Sequence, residues 1–443
     1  MRIQLSDHFT YGRLLRFVLP SIFMMIFTSI YGMVDGFFVA NYAGKTAFAA
    51  VNLIMPYAMG ISVFGFMLGT GGSALISRTL GNGRSDLAQK YFSMFVYAGA
   101  VLGTVTAILS IVFMPDIAGL LGAEGQLYDF TVLYGRIIVI STPGFMLQIM
   151  FQSYFVAAEK PGLSFRITAL AGIMNMVLDW LLVGKLGMSL QGAAIATVTA
   201  EFTGGLVPVA YFIMPNNSLL RLRKCSFYAG AFFKACFNGI SEMVSNFSST
   251  VVNIVYNFQL LRIIGEDGVS AYGIIMYVMF IFVAVMVGFS IGSAPITGYN
   301  LGAGNKSELK NIYRKSMVIM AAAGLLMVSA AEIFARPVVG LYAGSSQTLL
   351  DLATGGFRIY AVAFLFMGIN IWSSSFFTAL SNGKISAVIS FTRTFVIQLL
   401  MVLILPYFFG VSGIWSSIVV AETASLFISL FFLTRYGKFY GYR

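Results

Sequence analysis

Apolar residues run along this chain in long continuous stretches instead of alternating with polar ones. The first, Pro20-SIFMMIFTSIYGMVDGFFVA-Asn41, extends for more than twenty residues with Asp35 as its only charge. A stretch of that length crosses a bilayer as a helix. Twelve apolar segments can be read, at about 13–39, 48–76, 90–114, 128–155, 163–185, 190–214, 232–260, 268–299, 312–334, 352–381, 384–408 and 411–434. Several exceed the minimum length, which implies tilt or protrusion into water. Pro20, Pro56, Pro143, Pro208 and Pro295 fall inside segments and are expected to kink or break them. The expected fold class is an all-α integral membrane protein of twelve transmembrane helices.

The pattern repeats once. GSALISRTLGNGRSDL from Gly72 returns as GSAPITGYNLGAGNKSEL from Gly292, and Arg136-Ile137 returns as Arg358-Ile359. Ser153-Tyr154-Phe155 matches Ser375-Phe376-Phe377, and Ala200-Glu201 matches Ala421-Glu422. All offsets lie between 220 and 222, so the chain divides into two six-helix halves. Six is even, so both halves enter the membrane from one side and are related by an axis along its normal. The expected division is an N-terminal lobe 1–214, a basic linker 215–231 (NNSLLRLRKCS) and a C-terminal lobe 232–443.

Composition agrees: 58% of residues are hydrophobic, 10% are charged and the mean hydropathy is +0.87. The net charge of +11 reads as positive-inside bias and not as nucleic-acid binding. With a cytoplasmic N-terminus, only Lys45, Arg136, Lys185, Arg262, Arg336 and Arg358 of the 27 Lys and Arg residues fall outside. The other 21, Arg2 and Arg393 among them, are assigned to inside loops, which places both termini in the cytoplasm. Cys225 and Cys236 are too few for a disulfide framework or metal site, and His8 is the only histidine. No cleavable signal peptide is expected, because the first apolar segment is too long and no A-x-A site follows it.

Chemistry concentrates on acids far from any loop: Asp35, Asp179, Glu201, Glu242 and Glu422. An unpaired carboxylate near the bilayer centre costs at least ~2.5 kcal/mol, so each is a candidate ion or substrate site. Helical rise puts Asp35 about 6 Å, Asp179 about 9 Å and Thr197 about 10 Å below the outer surface, a shared level in the first lobe. Asn175 lies one turn deeper than Asp179 on the same face. Two carboxylates this close in low dielectric cannot both stay charged cheaply, so the pair takes up a proton readily. With the Asn175 amide and the Thr197 hydroxyl it can instead coordinate a small hard cation such as sodium. The second lobe offers Tyr256 in place of Asp35, and Leu400 or Met401 in place of Asp179.

Glu201 and Glu422 occupy equivalent positions, which fits a shared packing role as well as transport. Glu242 faces Ser21 in the repeat and is a candidate for cationic substrates or a second coupling site. Glu159 and Glu332, near helix ends, are expected to be solvated. Met24, Thr28 and Tyr31 share the helical face of Asp35, and thioethers with aromatic walls suit a promiscuous cavity for organic cations. The run Gly69-Thr70-Gly71-Gly72-Ser73 only mimics a phosphate loop, lacking both a preceding strand and a GK[ST] ending.

Gly32-MVDGFFVANYAG-Lys45, Leu80-GNGRSDL-Leu87 with its partner Leu301-GAGNKSEL-Leu309, and Asn175-MVLDWLLVGKLGMSLQGAAIAT-Thr197 together resemble the multidrug and toxic compound extrusion (MATE) family, nearest its MepA-like and DinF-like bacterial branch. The resemblance covers essentially the whole chain. It implies a V-shaped antiporter of the bacterial inner membrane that expels cationic and amphipathic drugs in exchange for protons or sodium. By position, Asp35, Asn175, Asp179 and Thr197 match the family's first-lobe cation cluster, and Glu242 matches the helix 7 acid of the NorM-like branch. The helix 10 acid of some NorM-like members has no match here. Pro20 is then the expected hinge of helix 1. No cofactor beyond the coupling ion is implied, and a monomer is the expected state.

Two rival readings remain. A lipid-linked precursor flippase of the same superfamily would favour basic cavities and often fourteen helices, whereas the intramembrane charges here read as mostly acidic. A membrane enzyme would need catalytic groups in sizeable loops, and these loops are short.

Overall fold

A computed structural model of the protein describes residues 3–343 and 346–443. Arg2 lies outside the described residues, as does the side chain of Lys45. The described residues are mostly helical, with no strand among them. α1 runs Tyr11–Phe38 and ends in a π-turn, Val39–Ala43. α2 joins Lys45–Ile61 to Val63–Gly81, and α3 is Ser85–Leu120. α4 is a bent pair, Gly125–Ile140 and Thr142–Ala157, meeting at 50°. α5, Pro161–Leu178, passes into the π-segment Asp179–Lys185, and α6 is Ser189–Ile213.

The second half follows the same plan. α7 joins Ala229–Asn238 to Ile240–Ile263, α8 is Glu266–Gly302, and α9 is Lys306–Ala343. α10 is again a bent pair, Gln347–Ala361 and Phe364–Ala379, meeting at 52°. α11 starts at Gly383–Phe391, carries the π-segment Thr392–Ile397 and ends where Gly410 (φ 54°) leaves helical geometry; α12 continues to Tyr440. Glycine tolerates that φ where other residues strain. Eight helices among the described residues are apolar and long enough to span a membrane, and the two bent pairs make ten. The break at Gly410 and the more polar α7, which carries Ser245, Asn246, Asn253 and Asn257, complete the twelve.

Of the five prolines inside segments, only Pro143 sits at a break. Pro20, Pro56, Pro208 and Pro295 lie within helices that continue past them. In lipid, neighbouring helices and local adjustments satisfy the carbonyl a proline leaves free.

The buried apolar clusters divide the molecule. One sits wholly in the first half, around Val39, Ile54, Ile138 and Leu190; another sits wholly in the second, around Tyr256, Ile275, Phe357 and Trp415. Both lie toward the ends of the helices remote from the chain termini. Toward the terminus-bearing end the cores merge, with Phe17, Val18 and Ile22 of α1 packed among Phe289, Ile296 and Trp372. Glycine makes this seam possible. A Cβ on Gly288 would stand 2.6 Å from the Ile22 Cα, and on Gly302 it would stand 2.1 Å from the Arg78 carbonyl oxygen. On the remote half of α1, Gly32 and Gly36 have nothing within 4 Å of such an atom. The two lobes are thus joined at one end and apart at the other.

The N-terminal segment ties the joined end. Leu5 N–H donates to Glu159 Oε1 of the first lobe at 2.8 Å, and Phe9 N–H donates to Glu308 Oε1 of the second at 2.9 Å. Lys315 Nζ and Asn311 Nδ2 both donate to the Phe9 carbonyl. Glu159 is therefore buried, against the solvated position expected for it, because a backbone amide needs its carboxylate there. Glu332, by contrast, is half exposed and pairs with Arg358 at 3.5 Å.

Candidate functional site

Three helices deliver the first-lobe cluster. Asp35 sits one turn before the π-turn of α1, where the Val39 N–H bonds to both the Asp35 and Gly36 carbonyls. Asp179 is the first residue of the π-segment of α5, and its own N–H bonds to the carbonyls of Asn175 and Met176. π-turns inside helices mark functional sites because one extra residue per turn re-aims side chains. Here they aim the two carboxyls across the α1–α5 seam at each other. From α6, the Thr197 hydroxyl lies 3.5 Å from Asp35 Oδ1 while donating to the Ala193 carbonyl at 3.1 Å. The expected quartet of Asp35, Asn175, Asp179 and Thr197 is therefore assembled in one place.

Its hydrogen bonding is incomplete. Asp179 is fully buried, yet neither carboxyl oxygen has a donor, and Asn175 Oδ1 is also without one. No Lys or Arg among the described residues pairs with Asp35, Asp179 or Glu201. Buried acceptors in this state cost about 1–3 kcal/mol each unless a proton or cation reaches them. Oxygen atoms from two carboxylates, an amide and a hydroxyl suit a proton or a small hard cation. Just beyond the quartet, Glu201 accepts a short hydrogen bond from the Ser141 hydroxyl at the bend of α4. The buried Tyr134 hydroxyl, which no sequence pattern flagged, lies in the same region as the three acids but hydrogen-bonds to none of them.

The other candidates are dispersed. Glu242 lines a cavity of about 860 Å³, counting its mouth, between the lobes, together with Met25, Thr70, Gln152, Ser290 and Ser375. Met24 does not face it: it is fully buried against α5, where the Ser164 hydroxyl reaches its sulfur at 3.2 Å. The helical period places Met25 on the cavity side instead. Thr28 turns its hydroxyl back to the Met24 carbonyl at 2.9 Å, and Tyr31 packs beside Phe27 against Gly172. Pro20 lies in the seam between lobes, near Ser21 and Val18.

Arg393, counted among loop cations from sequence, lies instead inside the second lobe. Its Nε donates to Glu422 Oε1 at 2.8 Å, with side-chain exposures of 15% and 2%. Asn370 Nδ2 donates to the other Glu422 oxygen at 2.7 Å. Glu201 and Glu422 occupy equivalent positions but have unlike partners, a hydroxyl in one lobe and a guanidinium in the other.

Two six-helix lobes joined at one end, with acids buried deep in their apolar spans, are the build of a multi-pass transporter and not of an enzyme. The MatE family model matches residues 20–181 and again 234–404. The chain belongs to the MatE family. It is 26% identical over 422 residues to the multidrug export protein MepA of Staphylococcus haemolyticus, covering 94% of this chain and 92% of that protein. The fold matches a crystal structure of a MATE protein in complex with MaL6, with a TM-score of 0.93, 19% identity and 98% of each chain covered. It also matches an outward-facing multidrug resistance MATE family transporter of the MOP superfamily, with a TM-score of 0.92, 20% identity and coverages of 98% and 97%.

Proposed function

We propose that this chain is a secondary active multidrug efflux antiporter, exporting cationic and amphipathic organic compounds in exchange for H+ or Na+. One observation carries the reading. Asp35 and Asp179 meet in the first lobe with no basic partner, and both Asp179 oxygens lack donors. Such a pair binds a proton or a sodium ion through Asp35, Asn175, Asp179 and Thr197. The similarity to a multidrug export protein supports the cargo class.

With Arg393 taken out of the loops, 20 Lys and Arg against 6 still support a bacterial inner-membrane orientation with the joined, terminus-bearing end in the cytoplasm. The inter-lobe cavity then opens outward. Lobes 1–214 and 232–443 move about the linker 215–231, and α1 bends at Pro20 as the ion binds. Coupling follows only if ion and cargo each prefer a different state, since binding shifts an equilibrium by its differential affinity alone. Glu242 receives cationic cargo from the inter-lobe cavity, and Glu201 from the separate first-lobe pocket it lines with Met55 and Ser141. The protein works as a monomer.

The flippase alternative gains Arg393 as a base in the second lobe, but a single guanidinium paired with Glu422 does not make the basic cavity that reading needs. Drug efflux from proteoliposomes decides the matter, with a pH gradient and a sodium gradient imposed separately on wild type and Asp35→Asn. Transport driven by one gradient and lost in the variant names the ion. Transport indifferent to both gradients, or surviving the substitution, sinks the antiporter reading.

A further inference from the structure

The second lobe holds a chamber that belongs to neither the cation cluster nor the inter-lobe cavity. It measures about 690 Å³ counting its open mouth, and α7, α8, α10, α11 and α12 wall it. Asn253, Tyr272, Tyr360, Gln398 and the Arg393–Glu422 pair form most of its polar face, and Met276, Met279 and Met367 stand among its apolar walls.

Arg393 sits in the π-segment of α11, 15% exposed, with one edge committed. Its Nε is bound to Glu422, and both Glu422 oxygens are occupied, one by Arg393 and one by Asn370. The two terminal guanidinium nitrogens hydrogen-bond no described residue, and the chamber is lined by this side chain. A planar guanidinium with its terminal edge free accepts a carboxylate in bidentate geometry. The polarisable thioether walls suit a flat aromatic body. The other charge near Arg393 is Glu242, on the side facing the inter-lobe cavity. The first-lobe cluster is opposite in character, gathering Asp35, Asp179 and Glu201 with no Lys or Arg paired to them among the described residues.

We propose that the second-lobe chamber binds the carboxylate of amphipathic cargo, with Arg393 as its anchor. The protein then accepts zwitterionic and anionic molecules that the acids of the first lobe repel. The proposal rests on the antiporter reading for the word cargo alone; binding is measured without transport.

Rhodamine 110 and its methyl ester rhodamine 123 differ only in the free carboxylate. Their affinities are read by fluorescence anisotropy on the full-length protein in lipid nanodiscs. Wild type and Glu422→Gln, which keep Arg393, are expected to bind the acid dye. The double variant Arg393→Gln/Glu422→Gln removes both charges together and is expected to weaken the acid by about tenfold or more, with the ester unchanged. Equal loss of both dyes, or no loss of the acid, overturns the proposal. On wild type, benzoate should displace rhodamine 110 while benzamide does not; displacement by both or by neither overturns it equally. Asp35→Asn separates the two readings, since its failure to abolish gradient-driven efflux would count against the antiporter and leave the dye selectivity standing.

Discussion

Arg393 and Glu422 form a 2.8 Å ion pair inside the second lobe, at the position where the first lobe holds Glu201 against a serine. Removing one partner of a buried pair leaves an uncompensated charge, which costs about 3–5 kcal/mol. Arg393→Gln should therefore be strongly destabilised in a thermal melt in detergent. Adding Glu422→Gln should restore most of the loss, because the second change deletes the orphaned charge. Additive losses in the double variant would show that the pair is not coupled.

Asp179 predicts the reverse sign. It is fully buried, and apart from the facing Asp35 carboxyl no group donates to either oxygen, so the folded state carries most of its desolvation without return. Asp179→Asn removes the charge and supplies donors, and should raise stability by about 1–3 kcal/mol while abolishing gradient-driven efflux. A higher melting temperature without transport is the expected pair of results. A lower melting temperature would mean that the carboxylate is satisfied in the resting protein.

The twelve spans and the two-fold repeat were legible because lipid demands long apolar runs and duplication preserves spacing. The quartet was legible because a carboxylate in such a run stands out and helical rise fixes its depth. Other features were hidden for physical reasons. The π-segments at Asp179 and Thr392 have no hydropathy signature, since they add one residue without changing composition. Arg393 was mistaken for a loop charge because its partner Glu422 lies 29 residues away, on another helix. Glu159 reads as solvated because the backbone amide it accepts comes from the far N-terminus, and no sequence pattern marks Glu308 as the acceptor of the Phe9 amide. Met24 and Met25 differ by one step of the helix, which turns them about 100° apart, and sequence alone does not fix the rotation of α1.

The seam between lobes predicts a contrast among glycines. A Cβ on Gly302 would stand 2.1 Å from the Arg78 oxygen, whereas on Gly36 it meets nothing within 4 Å. Gly302→Ala should push α2 and α8 apart at the joined end and cost about 1–3 kcal/mol. Gly36→Ala should be neutral or slightly stabilising, since alanine favours helix. Both are read by melting temperature, and comparable effects at the two sites would contradict a seam confined to one end.

The N-terminal segment predicts a latch between lobes. Leu5 and Phe9 are fully buried, and their amides bond to Glu159 of one lobe and Glu308 of the other. Phe9→Ala removes a buried aromatic ring, a change worth about 3–5 kcal/mol where the site cannot collapse. Glu308→Ala strands the Phe9 amide and frees His8, whose ring nitrogen lies 2.7 Å from that carboxylate. Both variants should release the segment first, because its remaining ties are few, and leave the helical lobes intact. Hydrogen exchange would then rise at residues 5–9 before any change in α1 or α9. If exchange rose together across the segment and both lobes, the strap would be part of one cooperative unit, and opening the joined end would require far more than its detachment.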